Sequence, residues 1–159
     1  MSNTYDTQRF LCDPTVGKLA HYLRMIGYDT ASSDSWNSSD VLELALEESR
    51  TILTRNSVLA RMTLARDVIL ISEDDPWEQL KAVIRERNLD IDESMVLTRC
   101  LLDNSVLQPV DKADVRGKVW PYVYQTQDRF TVCPTCNRVF WPATHVQAML
   151  EKLKAIGLV

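Results

Sequence analysis

Four short strand-like runs, each followed by a helical pattern, constrain this chain more than any other feature. The first, residues 9–13 (RFLCD), ends in an acid and reads as a buried strand. Residues 28–32 (YDTAS), 50–54 (RTILT) and 67–72 (DVILIS) supply three more strands, the third rich in β-branched residues. Between the first two runs, Val16, Leu19, Ala20, Leu23 and Ile26 recur at helical spacing over residues 14–27. Pro14 suits the first turn of that helix and Gly27 its stop. Residues 41–49 carry the next helical pattern, with Ser39 or Asp40 as its cap and capping-box spacing from Asp40 to Glu43. Residues 57–65 read as a short helix. Residues 74–88 read as a helix with Asp75 as N-cap, Pro76 at its first position and Leu80, Val83 and Ile84 as its apolar stripe. Strands alternating with helices predict an α/β fold around a central parallel sheet. That unit is expected over residues 9–92, with a smaller module over residues 95–159.

The smaller module holds the cysteines. Cys133-x-x-Cys136 is half of a zinc-ribbon site, and Cys100 and Asp103 repeat its spacing with an acid in the last position. Residues 1–8 are polar and lack the order of a signal peptide, so they read as a short tail and the cytoplasm is the expected compartment. No apolar run approaches the roughly 18 residues of a membrane helix, so no membrane association is expected. Thiols in that compartment stay reduced, which favours metal over a disulfide. Three arrangements compete for the fourth position. Asp103 ligates through one oxygen, or His145, nine residues after Cys136, swings in, or the module forgoes metal and packs on Val132, Val139, Phe140 and Trp141. Asp103 is favoured over His145 because its spacing directs it inward. Residues 118–124, 129–132 and 138–141 are β-like runs. Trp120, Tyr122 and Tyr124 in the first of them fit the module's core or, if exposed, a protein contact. Residues 145–157 form an amphipathic helix. Cys12 reads as a buried small hydrophobe, and His21 as a surface or packing residue on a helix.

Charge divides the chain in the same place. Residues 1–94 carry 10 Lys and Arg against 17 Asp and Glu, and residues 95–159 carry 8 against 5. The acidic part argues against general nucleic-acid affinity but suits carboxylates that await cations, while the basic part could hold a polyanion. Solvated faces alone would give the same asymmetry. In open α/β sheets, ligands sit beyond the carboxyl ends of the strands. Asp13, Asp40, Asn56, Asp74 and Asp75 all fall there. Hard oxygen ligands select Mg²⁺ or Mn²⁺, and such ions can activate water against a phosphodiester. Asp40 and Asp75 are equally natural helix caps, and Asp74 a loop residue. Asp13 is harder to explain blandly, because an unpaired acid at the end of a buried strand is costly. Lys18, Arg24 and Arg55 lie near enough in sequence to contact phosphate, or else serve as surface or ion-pair residues.

Taken in order, FLCDPTVGKLAHYLRMIGYDT, ILTRN, ILISEDDPWEQL, RCLLDN and CPTCNRVFWPATH resemble the Mut7-C family, a PIN-like ribonuclease domain with a C-terminal zinc ribbon. The resemblance runs from about Arg9 to about Leu153, and its first and last blocks are the most specific. It implies a PIN-like three-layer fold, a metal-dependent ribonuclease activity and RNA as partner. It carries the first acid onto Asp13, the acid at the next helix start onto Asp40, and the acidic stretch after the fourth strand onto Asp74 or Asp75. The family's T-R-D falls on Thr54, Arg55 and Asn56, so an amide stands where an acid is usual. The family's two Cys-x-x-Cys knuckles fall on Cys100/Asp103 and Cys133/Cys136. Two ligand-type positions therefore depart from the pattern. A weakened or inactive nuclease that still binds RNA or protein is the alternative they imply.

Overall fold

The computed structural model describes residues 3–62 and 67–158. Strands β1 (Phe10–Cys12), β2 (Thr30–Ser32), β3 (Thr51–Thr54) and β4 (Val68–Leu70) form one parallel sheet in the order β2-β1-β3-β4. Leu11 pairs with Ala31 on one side and Ile52 on the other, and Leu53 pairs with Ile69. Successive side chains on a strand point to opposite faces, and here both faces are covered. Phe10, Cys12 and Leu53 pack with Leu19 and Leu23 of α2 (Gly17–Met25) and with Leu80, Val83 and Ile84 of α5 (Pro76–Arg87). Leu11 and Ile52 pack with Val41 and Ala45 of α3 (Ser38–Glu48) and Leu59 of α4 (Ser57–Met62). This is why β1 and β3, the inner pair, are buried from end to end and carry adjacent apolar residues, Phe10–Cys12 and Ile52–Leu53, without alternation. Each fully buried Leu, Ile or Phe in these layers contributes roughly 1.5–3 kcal/mol of transfer free energy. β4 is an edge strand, and Leu70 at its end is exposed.

Several helix boundaries differ from the sequence expectation. The helix expected over residues 14–27 is a 3₁₀ turn, Pro14–Val16, followed by α2. Asp13 forces the turn, because its Oδ1 accepts from the Thr15 N–H at 3.0 Å and caps it. The cap of α3 is Asn37, not Ser39 or Asp40, and the capping box joins Asn37 to Asp40 rather than Asp40 to Glu43. Asn37 Oδ1 accepts from Asp40 N and Asp40 Oδ2 accepts from Asn37 N, both at 2.9 Å. That exchange needs an acceptor outside the helix and an acid at the third helical position, which residues 37 and 40 satisfy. α5 begins as expected on Asp75 and Pro76. Of the short helix expected over residues 57–65, α4 covers the part to Met62, and residues 63–65 lie outside the described residues. Residues 4–7 are no free tail. They form α1 (Thr4–Thr7), held by a hydrogen bond from the Thr4 hydroxyl to Asp90 at 2.9 Å and by Tyr5 stacked on Tyr28.

The second region contains an antiparallel sheet of β5 (Gln108–Val110), β6 (Phe130–Val132) and β7 (Val139–Phe140), in that order. Residues 118–124 are not a strand. Pro121 starts α6 (Pro121–Thr126), since a fixed φ and a missing N–H suit a first helical position. Trp120 and Tyr122 are 76% and 75% exposed, so neither belongs to the core expected of them. The last helix, α7 (Thr144–Ala155), sends Val146, Met149 and Leu153 back into the core that α2 and α5 line. The chain crosses between the regions against the end of α2. There Gly27, at φ 103°, lies so close that a Cβ would stand 2.6 Å from the Met95 carbonyl oxygen. Both the φ and the contact require glycine at this position.

Candidate metal centre and sheet-edge site

Two turns of matching geometry carry the cysteines. In one, Asn104 N donates to Cys100 O at 3.0 Å and Cys100 N to Ser105 O at 2.8 Å. In the other, Asn137 N donates to Cys133 O and Cys133 N to Arg138 O, both at 2.9 Å. Asn104 and Asn137 occupy the left-handed region, at φ 70° and 62°, which asparagine tolerates better than most residues. Each turn therefore aims its first and fourth side chains the same way. The ligand atoms of Cys100, Asp103, Cys133 and Cys136 all lie within 4.8 Å of one another. Among the described residues this is the one group of three or more Cys, His, Asp or Glu side chains so gathered. His145 is not part of it and stands at the start of α7.

The spacing within the group suits a tetrahedral ion. Cys100 Sγ and Cys136 Sγ are 3.7 Å apart. Two thiolates on one zinc would be about 3.8 Å apart, given Zn–S bonds of about 2.3 Å. Asp103 Oδ2 lies 3.2 Å from Cys133 Sγ, while Oδ1 also accepts from Ser105 N at 2.9 Å, so one oxygen is fixed and the other free to ligate. Burial pushes the Cys100 thiol up to about 12. Burial would also raise the Asp103 carboxyl, but donors from Ser105 and the thiols of Cys133 and Cys100 outweigh it and hold Asp103 well below the carboxylate range. Cys133 is lowered too, because the backbone N–H groups of Cys136 and Thr135 outweigh its burial. Three thiols and a carboxylate in this arrangement could bind a metal such as zinc.

The first turn is fastened to the parallel sheet. Arg24 is 2% exposed and donates to Thr30 O at 2.8 Å, Leu101 O at 2.9 Å and Ser32 Oγ at 2.8 Å. With its guanidinium spent in this way, Arg24 is a clamp between β2 and the cysteine turn, not the phosphate contact expected from sequence. Burial lowers its pKa. Asn104 adds a second tie, accepting from Thr30 N at 3.0 Å and donating to Asp29 Oδ1 at 2.6 Å.

The carboxyl edge of the sheet is organised around Asp13, which is 4% exposed. Its Oδ1 takes Thr15 N and the Thr15 hydroxyl, and its Oδ2 takes the Thr54 hydroxyl at 2.5 Å. No Lys or Arg pairs with it among the described residues. A buried carboxylate whose partners are all neutral fits a cation. Asn56 follows Thr54 and turns Oδ1 to Val58 N at 3.0 Å and Leu59 N at 3.2 Å, capping α4. Arg55 reaches across to pair with the exposed Asp74. Asp75 caps α5 through Trp77 N at 2.9 Å and Glu78 N at 3.1 Å. Asp40 is exposed in its capping box, and Lys18 is exposed on α2. These acids ring the edge without converging into a ligand group like that of the cysteines. One edge acid was missed in the sequence. Asp34 stands beyond β2, its Oδ1 3.8 Å from where a Gly17 Cβ would be. The run before it, Tyr28–Ser32, is not apolar, so the signal that marks Asp13 is absent at Asp34.

A family model described as the Mut7-C RNAse domain matches residues 8–153, nearly the whole chain. The chain belongs to the Mut7-C RNAse domain family. The match spans both regions of this Mut7-C domain, so sheet edge and cysteine group fall within one family unit. No curated protein and no solved structure matches the chain significantly. No helix among the described residues of this Mut7-C domain is long and apolar enough to cross a membrane.

Proposed function

We propose that this protein is a metal-dependent ribonuclease of PIN-like architecture, centred on Asp13, with a structural zinc at Cys100, Asp103, Cys133 and Cys136. The observation that carries the reading is the buried Asp13 at the junction of β1 and β3, a negative charge with only hydroxyl and N–H partners. The Mut7-C RNAse match supports RNA as substrate. Mg²⁺ or Mn²⁺ would be held by Asp13, with Asp40, Asp74 and Asp75 as the surrounding acids. Such an ion would supply Lewis acidity, which makes water more acidic and offsets charge on a phosphodiester. The hydroxyls of Thr15 and Thr54 orient the Asp13 carboxylate. Lys18 and Arg55 are the cations available to phosphate. The exposed pair of Arg55 with Asp74 is worth about 0–1 kcal/mol, so phosphate can displace it. The test compares wild type with Asp13→Asn on single-stranded and structured RNA with Mn²⁺. Cleavage should fall at least ~100-fold in the variant, the scale on which a lost catalytic group is felt, and equal activity would sink the reading.

One observation favours a second reading, an RNA-binding module with little catalysis. Asn56 brings no charge, and its carbonyl oxygen is committed to α4. On that reading RNA binds uncut, and Asn56→Asp restores cleavage. A variant that neither cleaves nor gains Mn²⁺ affinity would count against it.

A further inference from the structure

We propose that the groove between α2 and the second region is a single-strand RNA subsite, in which bases stack on tryptophan and phosphates meet Lys118 and Arg138. This rests on RNA being the substrate of the sheet-edge site. The groove has a volume of about 850 Å³, and both of the chain's histidines and two of its four tryptophans line it. Its floor is apolar, with Leu97, Leu101 and Phe140 contributing. Trp120 is 76% exposed, whereas Trp141 is partly buried and leans on Phe130 at 6.4 Å between ring centres. One ring is therefore free to receive a base and the other is braced as a wall.

Charge selects the occupant. Lys118, Arg138, His21 and His145 line the groove, and no acidic residue does, in a chain with 22 Asp and Glu. No ion pair engages Lys118 or Arg138 among the described residues. An aromatic platform edged by unpaired cations suits single-stranded nucleic acid, because every base has a face to stack and every nucleotide a phosphate to pair. A neutral apolar peptide would leave those cations without partners. The position also suits a substrate path. His21 lies one helical turn, about 5.4 Å, along α2 from Gly17, and Gly17 follows the turn that Asp13 caps. A strand in the groove would continue toward the sheet edge.

The experiment titrates the full-length protein, without added Mn²⁺, into a labelled 12-nucleotide single-stranded RNA and into a duplex of the same sequence. Single-stranded RNA should bind in preference to duplex and quench tryptophan fluorescence. Trp120→Ala should weaken single-strand binding ~10-fold. The double variant Lys118→Ala/Arg138→Ala should flatten the plot of log affinity against log salt by ~0.7 per cation removed. Unchanged affinity and slope in these variants, or equal binding of the duplex, would overturn the assignment. The two sites fail separately. If Asp13→Asn abolishes cleavage while Trp120→Ala binds like wild type, the groove falls and the nuclease reading stands. If Trp120→Ala binds weakly while wild type and Asp13→Asn cleave equally, the nuclease reading falls and the groove stands.

Discussion

Arg24 sits on α2 between Leu23 and Met25, and all three side chains are buried. A long cationic side chain there lends itself to a phosphate contact, and the most distant of its three acceptors, the Leu101 carbonyl, lies 77 residues away. Nothing local in the sequence points to it. Its removal leaves the carbonyls of the buried Thr30 and the partly buried Leu101 without that donor, and a buried unmet acceptor costs about 1–3 kcal/mol. Arg24→Ala should therefore lose about 3 kcal/mol or more of stability, measured by urea unfolding at neutral pH. Arg24→Lys should recover little of it, because an ammonium cannot reach three acceptors held in the plane of a guanidinium. Asp13 was legible for the opposite reason: its burial follows from the apolar run it ends, and so did the expectation of a special role.

The elements divide according to how local their causes are. The inner strands β1 and β3 could be read because burial on both faces leaves adjacent apolar residues, and the cap of α5 because Asp75 and Pro76 stand together. α6 could not, since VWPYVY is rich in β-branched and aromatic residues and only Pro121 speaks for a helix. The Asn37 cap was hidden among several candidate residues, and only its reciprocal bond with Asp40 singles it out. The cysteine turns were half legible. Their spacing marks the four positions, whereas nothing in the spacing marks the left-handed Asn104 and Asn137 that shape the turns. Because the backbone hydrogen bonds that close the two turns match, the position of Asp103 should accept a cysteine without rearrangement of the main chain. Asp103→Cys should hold zinc at least ~10-fold more tightly, as a soft thiolate replaces a hard oxygen. Competition with a chromogenic chelator measures this, and unchanged retention would show that Asp103 is no ligand.

At the scale of the whole molecule, Asp29 joins the regions, accepting from Asn104 at 2.6 Å and from the Arg50 guanidinium at 2.8 Å. Its partial burial would raise its pKa, but those two donors outweigh it and hold the carboxyl below its ordinary value. A depressed carboxylate contributes stability that is present above the unfolded pKa of about 3.9 and lost as pH falls through the folded value. Asp29→Asn should be less stable than wild type at pH 7 and should lose less on going to pH 3. Urea midpoints at the two pH values decide it, and parallel losses in both proteins would show that Asp29 is not responsible.

The return of α7 has a consequence for how the protein is made. Val146, Met149 and Leu153 complete the layer that Phe10, Leu23 and Leu80 begin. On the ribosome, residues 10–87 emerge first with every strand of the parallel sheet and the helices that cover it in hand, yet the cluster that α2 and α5 share with Val146, Met149 and Leu153 stays open until residues 144–155 have cleared the exit tunnel. At about 5–20 residues per second that interval lasts several seconds, during which apolar surface is open to chaperones and to other nascent chains.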